Sequence, residues 1–238
     1  MSKKLVWIVS ILLIIAASSA VIASDDAKEK AKSSVIEDIE RIDLIHYAKS
    51  DQVIKKSVLR TCYDLLGYKW RTLAVNYVVN PINPDSLSED FVMNAVTNAA
   101  ETWDQATPAE LFNDSVAIDY SAQFGVQDFK NSVVFGDYPD SSAIAITALW
   151  FSRKGKQIVE FDIIFNTRFS WGDAAVNPSL MDLQNIAAHE FGHSVGLDDI
   201  YSAECSTVTM YGYSWQGDIQ KRTLEEPDIA GLLRMYKK

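Results

Sequence analysis

Apolar positions change their period several times along this chain, and each change marks an element. Ser34 and Glu37 are spaced as a capping box, and Ile36, Ile39, Ile42 and Ile45 then recur on one helical face. That pattern predicts a helix of about 15 residues. A second amphipathic stretch, roughly 51–61, leads to Cys62. His46 lies beside the isoleucine stripe and reads as a half-buried side chain rather than a ligand. The period then falls to two. Leu73–Val79 alternates and is rich in β-branched residues, so it is predicted to be a strand, ended by Asn80 and Pro81. Ser88 opens a helix whose apolar face runs through Phe91, Val92, Val96, Ala99 and Trp103. Ser132–Phe135, Ser142–Phe151 and Ile158–Asn166 are predicted strands, the last two joined by a turn at Lys154, Gly155 and Lys156. Ser179 and Asp182 form a near capping box for a helix whose buried side is Met181, Leu183, Ile186, Ala187 and Phe191. Leu224–Tyr236 closes the chain as a helix with Pro227 in its first turn. A mixed sheet with helices before and after it is an α+β arrangement.

The N-terminus follows a different rule. Lys3 and Lys4 precede a largely apolar run from Leu5 to Ile22, with Ala and Ser gathered at its end. This reads as an export signal cut before Ser24, or as a membrane anchor if it is never cut. Either way the remainder is expected outside the cytoplasm. Residues 25–33 carry no apolar pattern and read as a solvated spacer. The expected organisation is a signal or anchor over 1–23, a helical N-terminal segment over 24–67 and one principal domain over 68–238.

The formal charge is −10, and removing residues 1–23 takes away two lysines and no acid, leaving −12. Nucleic acid is therefore not an expected partner. Cys62 and Cys205 are an even pair in an exported chain, which favours one disulfide and leaves two free thiols as the alternative.

Chemistry concentrates in residues 189–199, His-Glu-Phe-Gly-His-Ser-Val-Gly-Leu-Asp-Asp. On a helix, His189 and His193 stand one turn apart on one face, about 6 Å along the axis, a spacing at which two imidazoles can hold one metal ion. Glu190 follows the first histidine and points aside, close enough to act on a bound water without ligating. Gly196 lets the backbone leave the helix in a left-handed turn, which returns Asp199 toward the same point.

His-Glu-x-x-His-x-x-Gly-x-x-(His or Asp) is the zinc signature of the metzincin metallopeptidases, and the surrounding sequence resembles their matrixin branch. The resemblance spans residues 68–238 and is carried by 189–199 and by Thr209-Met210-Tyr211, which is similar to the Met-turn beneath the metal. It implies a twisted five-stranded mixed sheet, with Ser142–Phe151 as the antiparallel edge to which a peptide adds, an active-site helix and a C-terminal helix. It implies His189, His193 and Asp199 as ligands of one catalytic zinc, Asp199 standing where the family more often has histidine and Asp198 being the neighbouring alternative. Glu190 would be the general base, Met210 an apolar support, and Gly212 and Tyr213 part of the wall of the pocket for the side chain after the cut bond. Calcium near Asp137, Asp140 and Asp162 is a family possibility, with solvated turn carboxylates as the alternative. The function implied is an exported zinc metalloendopeptidase, a monomer acting on polypeptides and touching a membrane only through an uncut N-terminus. Two rivals stand beside it. One is a zinc peptidase whose third ligand is Glu225 or Glu226, and the other is a non-catalytic zinc-binding envelope protein with a degenerate site. An upstream cysteine acting as a latch on the metal is the rival to the disulfide, although Thr-Cys-Tyr-Asp around Cys62 differs from the family's pro-segment motif.

Overall fold

The computed structural model describes residues 38–49 and 61–237. The expected signal, the Ser34–Glu37 cap and residues 51–60 of the second amphipathic stretch lie outside the described residues. The chain divides between Ile39 and Glu40, and all but the first two described residues belong to the second unit.

The described strands are β1 (Ile39–Ala48), β2 (Asp64–Leu65), β3 (Tyr77–Val79), β4 (Ala117–Ile118), β5 (Asn131–Gly136), β6 (Ala143–Ser152), β7 (Gln157–Asn166), β8 (Trp171–Gly172), β9 (Met181–Asp182), β10 (Leu197–Asp198) and β11 (Tyr213–Ser214). The helices among these residues are α1 (Glu89–Asp104), α2 (Leu183–Ser194) and α3 (Glu226–Met235), with short 3-10 turns at Ala203–Cys205 and Gln220–Arg222. The main sheet runs β11-β1-β6-β7-β5-β3-β4. Within it β4, β3, β5 and β7 are mutually parallel, and β6 joins β7 antiparallel with Ile146 opposite Ile164. The expected five-stranded mixed sheet is thus present, and β6 is its antiparallel edge. Two further strands lie beyond that edge.

Those two strands carry the main correction to the sequence reading. Residues 39–48 are extended, not helical, and the isoleucines spaced by three do not share a buried face. Ile42 is exposed, whereas Leu44 and His46, two apart, are buried. A period of two with three β-branched isoleucines suits a pleated strand. What decides the matter is tertiary: β1 finds an unpaired strand edge on either side, which no isolated helix of this length could match.

The core lies between the sheet and the helices. Ser88 caps α1 by accepting the Phe91 amide at 3.2 Å, and Val92, Val96, Ala99 and Trp103 are buried along one face, as their spacing predicts. The indole of Trp103 donates to Ala188 O at 2.8 Å and so joins α1 to α2. Phe191 projects from α2 into a cluster with Tyr77, Phe112 and Phe161, ring centroids 4.9–6.0 Å apart. α2 begins one turn later than the Ser179–Asp182 box suggests. Asp182 is itself the cap and accepts the Asn185 amide at 2.9 Å.

Cys62 and Cys205 are joined by a disulfide, Cα atoms 5.4 Å apart, which ties the stretch before β2 to the loop between Asp199 and Met210. No helix among the described residues is long and apolar enough to cross a membrane.

Candidate active site

α2 is buried on nearly every side, which makes it a rigid support for the side chains it presents. Its last turn is closed by side chains from distant parts of the chain: the Trp70 indole donates to Ser194 O at 2.8 Å and the Tyr236 hydroxyl to Val195 O at 2.9 Å. The chain then turns at Gly196, where φ is +106° and a side chain would strike Tyr68 O.

That turn brings three donor atoms together. His189 Nε2 and His193 Nε2 are 3.1 Å apart, and Asp199 Oδ1 lies 3.2 Å from the first and 3.6 Å from the second. The opposite ring nitrogens are held by main-chain carbonyls, His189 Nδ1 by Thr209 O at 2.7 Å and His193 Nδ1 by Leu197 O at 3.0 Å. A carbonyl only accepts, so each Nδ1 carries the proton and each Nε2 keeps a lone pair aimed at the common point. Asp199 Oδ2 accepts the Tyr201 hydroxyl at 2.9 Å, while Oδ1 is buried with no hydrogen-bond donor. Burial pushes this carboxyl up, but His193, His189 and Tyr201 outweigh it and hold the group below the usual carboxylate range. Two imidazoles that turn Nε2 to one point and a carboxylate with an orphaned oxygen form a donor set that fits zinc. Asp198 is turned elsewhere: it pairs with Asp64 across β10 and β2, and its Oδ1 accepts the Asp199 amide.

Glu190 is fully buried beside this triangle. Its Oε2 accepts the Thr147 hydroxyl at 2.6 Å, and Oε1 has no hydrogen-bond partner. Burial pushes the carboxyl up to about 7, against the pull of His193 and Thr147. Met210 is buried beneath α2, so close that Gly192 has no room for a side chain. The turn at Thr209 and Met210 is fixed by Asp228 of α3, which accepts the amides of Thr209 at 2.9 Å and Met210 at 3.2 Å. Asp137 pairs with Arg168, Asp140 with Ser142, and Asp162 accepts the Gly125 and Ser132 amides. These three carboxylates serve separate local partners and do not converge.

Gly212 lies close to Tyr201 and Asp199, and the segment Gly212–Tyr213 is flanked by the chain's own β1. β1 lies parallel to β11 with Tyr47 opposite Tyr213. The Tyr47 amide donates to Gly212 O, the Ala48 amide to Ser142 O at 2.8 Å and the Lys49 amide to Ser214 O at 2.9 Å. The β6 edge is therefore not open to a peptide here. His46 is fully buried rather than half-buried. Its ring is 3.8 Å from that of His189, and its Nδ1 is 3.4 Å from Glu190 Oε1 without a hydrogen bond between them. His46, His189 and Glu190 form a second group close enough to hold an ion. Lys221 Nζ, 3.0 Å from His46 Nε2, already lies against that group.

The sequence reading passed over Thr147, Tyr201, Lys221 and Asp228, and it misjudged His46. Only Asp228 carried a local signal, as the acidic residue after a proline in the first turn of α3. The others belong to the site through pairings that join distant parts of the chain.

A family model described as matrixin matches residues 69–237, and the chain belongs to the matrixins. It is 26% identical over 168 residues to a hatching enzyme of Paracentrotus lividus, covering 70% of this chain and 26% of that protein. It is 27% identical over 176 residues to an interstitial collagenase of Oryctolagus cuniculus (71% of this chain, 33% of that protein). With stromelysin-1 of Mus musculus the figure is 25% over 169 residues (71% and 33%). The chain thus spans about a quarter to a third of the length of these relatives.

Proposed function

We propose that the chain is an exported zinc-dependent endopeptidase in which His189, His193 and Asp199 hold the metal and Glu190 is the general base. The observation that carries this reading is the placement of a buried carboxylate, one oxygen held by Thr147 and the other free, against three convergent donor atoms. When bound, zinc supplies a water whose pKa is lowered toward about 7 and an electrophile for the scissile carbonyl oxygen. Glu190 takes the proton of the attacking water through Oε1 and passes it to the leaving amine. Thr147 keeps Oε2 occupied, so the carboxylate cannot swing away from its task. The β6 edge and the carbonyls of Gly212 and Ser214 hold a peptide extended across the site, using the positions that β1 occupies in the chain as described. The β1 strand then has to leave the cleft before a substrate enters.

The experiment compares bound zinc and casein digestion for the native chain and Glu190→Ala. The native chain should hold one zinc and digest casein. Glu190→Ala should keep the zinc and lose at least about 10² to 10⁴ in rate. A native chain that holds zinc and cuts nothing would favour the non-catalytic envelope protein.

A further inference from the structure

We propose that Lys221 determines which side chain the pocket beside the metal site accepts, selecting one that ends in a hydrogen-bond acceptor, glutamate foremost. The proposal rests on the peptidase reading, since it names the substrate class of that same site.

Lys221 sits in the 3-10 turn Gln220–Arg222 and is fully buried. Its Nζ donates to Tyr211 O and to Tyr213 O at 3.1 Å, and it lies 3.0 Å from His46 Nε2, which accepts from it when the His46 proton sits on Nδ1. Two of these acceptors belong to the wall segment and stay when β1 leaves. The third is brought in by the occupant. Burial pushes Lys221 down to about 7, and in its protonated form it has three N–H donors, so an apolar-filled pocket strands one of them in a buried place. Asp218, Asp199, Glu190 and Asp228 already act on Lys221 electrostatically, but among the described residues none pairs with its Nζ directly, so an incoming carboxylate would add a counter-charge in contact.

The occupant shows the geometry that fills this pocket. His46 precedes Tyr47, whose amide bonds Gly212 O, and its ring passes between His189 and the wall to reach Lys221. An extended substrate on the same register would place one side chain there, next to Glu190 and His189. The terminal oxygens of glutamate and glutamine stand three bonds beyond Cβ, as does Nε2 of histidine. Aspartate is one bond shorter, and leucine or methionine fills the space but leaves the third donor unmet.

The test uses the zinc-loaded full chain. Amide hydrogen exchange at Tyr47, Ala48 and Lys49 is measured in native protein and in His46→Glu, His46→Gln and His46→Leu. Glutamate and glutamine should keep or raise the native protection, and leucine should lower it by about tenfold or more. Leucine protecting as well as glutamate overturns the proposal. Combining His46→Leu with Lys221→Met should restore protection. If Lys221→Met does not fold, the three single variants still decide. A peptide library digested by the native chain should show Glu, Gln or His after the cut, and an apolar preference there overturns the proposal. If nothing is cut while the exchange order holds, the peptidase reading fails and the pocket assignment stands.

Discussion

The Thr147 hydroxyl, in the middle of β6, meets the Glu190 carboxylate at 2.6 Å. It is the one side-chain donor that Glu190, the proposed general base, has among the described residues, and it comes from the sheet rather than from α2. A hydrogen bond to the ionised form lowers a carboxyl pKa, so its removal should raise that of Glu190 above the value that burial already pushes up to about 7. Glu190 acts as a base only when ionised, and the acid limb of the activity profile should move to higher pH. We expect Thr147→Val to lose about tenfold in kcat at neutral pH, in keeping with a hydrogen bond to a charged group worth roughly 1.5–3 kcal/mol. Thr147→Ser should be near native. An unchanged limb in Thr147→Val would show that the hydroxyl is only packing.

Zinc content separates the two adjacent aspartates. Asp199 Oδ1 closes the triangle with both histidines, while Asp198 faces Asp64. Asp199→Ala, like His189→Ala, should lose most of its zinc, and Asp198→Ala should keep it, read by elemental analysis after gel filtration. The reverse order would move the third ligand to Asp198.

Asp162 offers a pH test away from the proposed metal site. Burial, with Glu160 close by, pushes its pKa up to about 7 against the pull of the Gly125 and Ser132 amides. A carboxyl whose folded pKa exceeds its unfolded value of 3.8 binds its proton more tightly when folded. Its contribution to stability therefore grows as pH falls through about 7 and is complete below about 4. Between pH 8 and 5, native protein should gain on the order of 1–3 kcal/mol relative to Asp162→Asn, measured by urea unfolding. Parallel pH dependence in the two proteins would rule this out.

The disulfide predicts a stability loss without a loss of fold. Cys62 and Cys205 are 143 residues apart in sequence, a long loop to close. Replacing both by serine should cost roughly 2–5 kcal/mol while zinc content is retained. A non-reducing mass map should find one linked peptide pair, and two free thiols would refute the pairing.

Local pattern made much of this molecule legible. The α1 and α3 helices, the strands 131–166 and the His189–Asp199 constellation all follow from periods and offsets within about a dozen residues, because caps, heptad-like faces and a glycine turn act at that range. What pattern could not reach is decided by pairing across the chain. His46 looks like a lone histidine until β1 is laid between β6 and β11, and Lys221 looks like a surface lysine until the wall carbonyls surround it. The isoleucines of 36–45 fit a helical period by spacing alone, and the strand edges that override it lie about 100 and 170 residues away.

Because β1 is part of the same polypeptide, its hold on the cleft is set by tethering rather than by dilution. A covalently linked strand faces its own groove at an effective concentration set by the link and not by the amount of protein present. A peptide in free solution binds only the fraction of molecules whose groove is vacant, so its apparent dissociation constant is the intrinsic one divided by that fraction. Lowering the protein concentration leaves this fraction unchanged, whereas cutting the chain between β1 and Cys62 turns a tethered competitor into one that washes away.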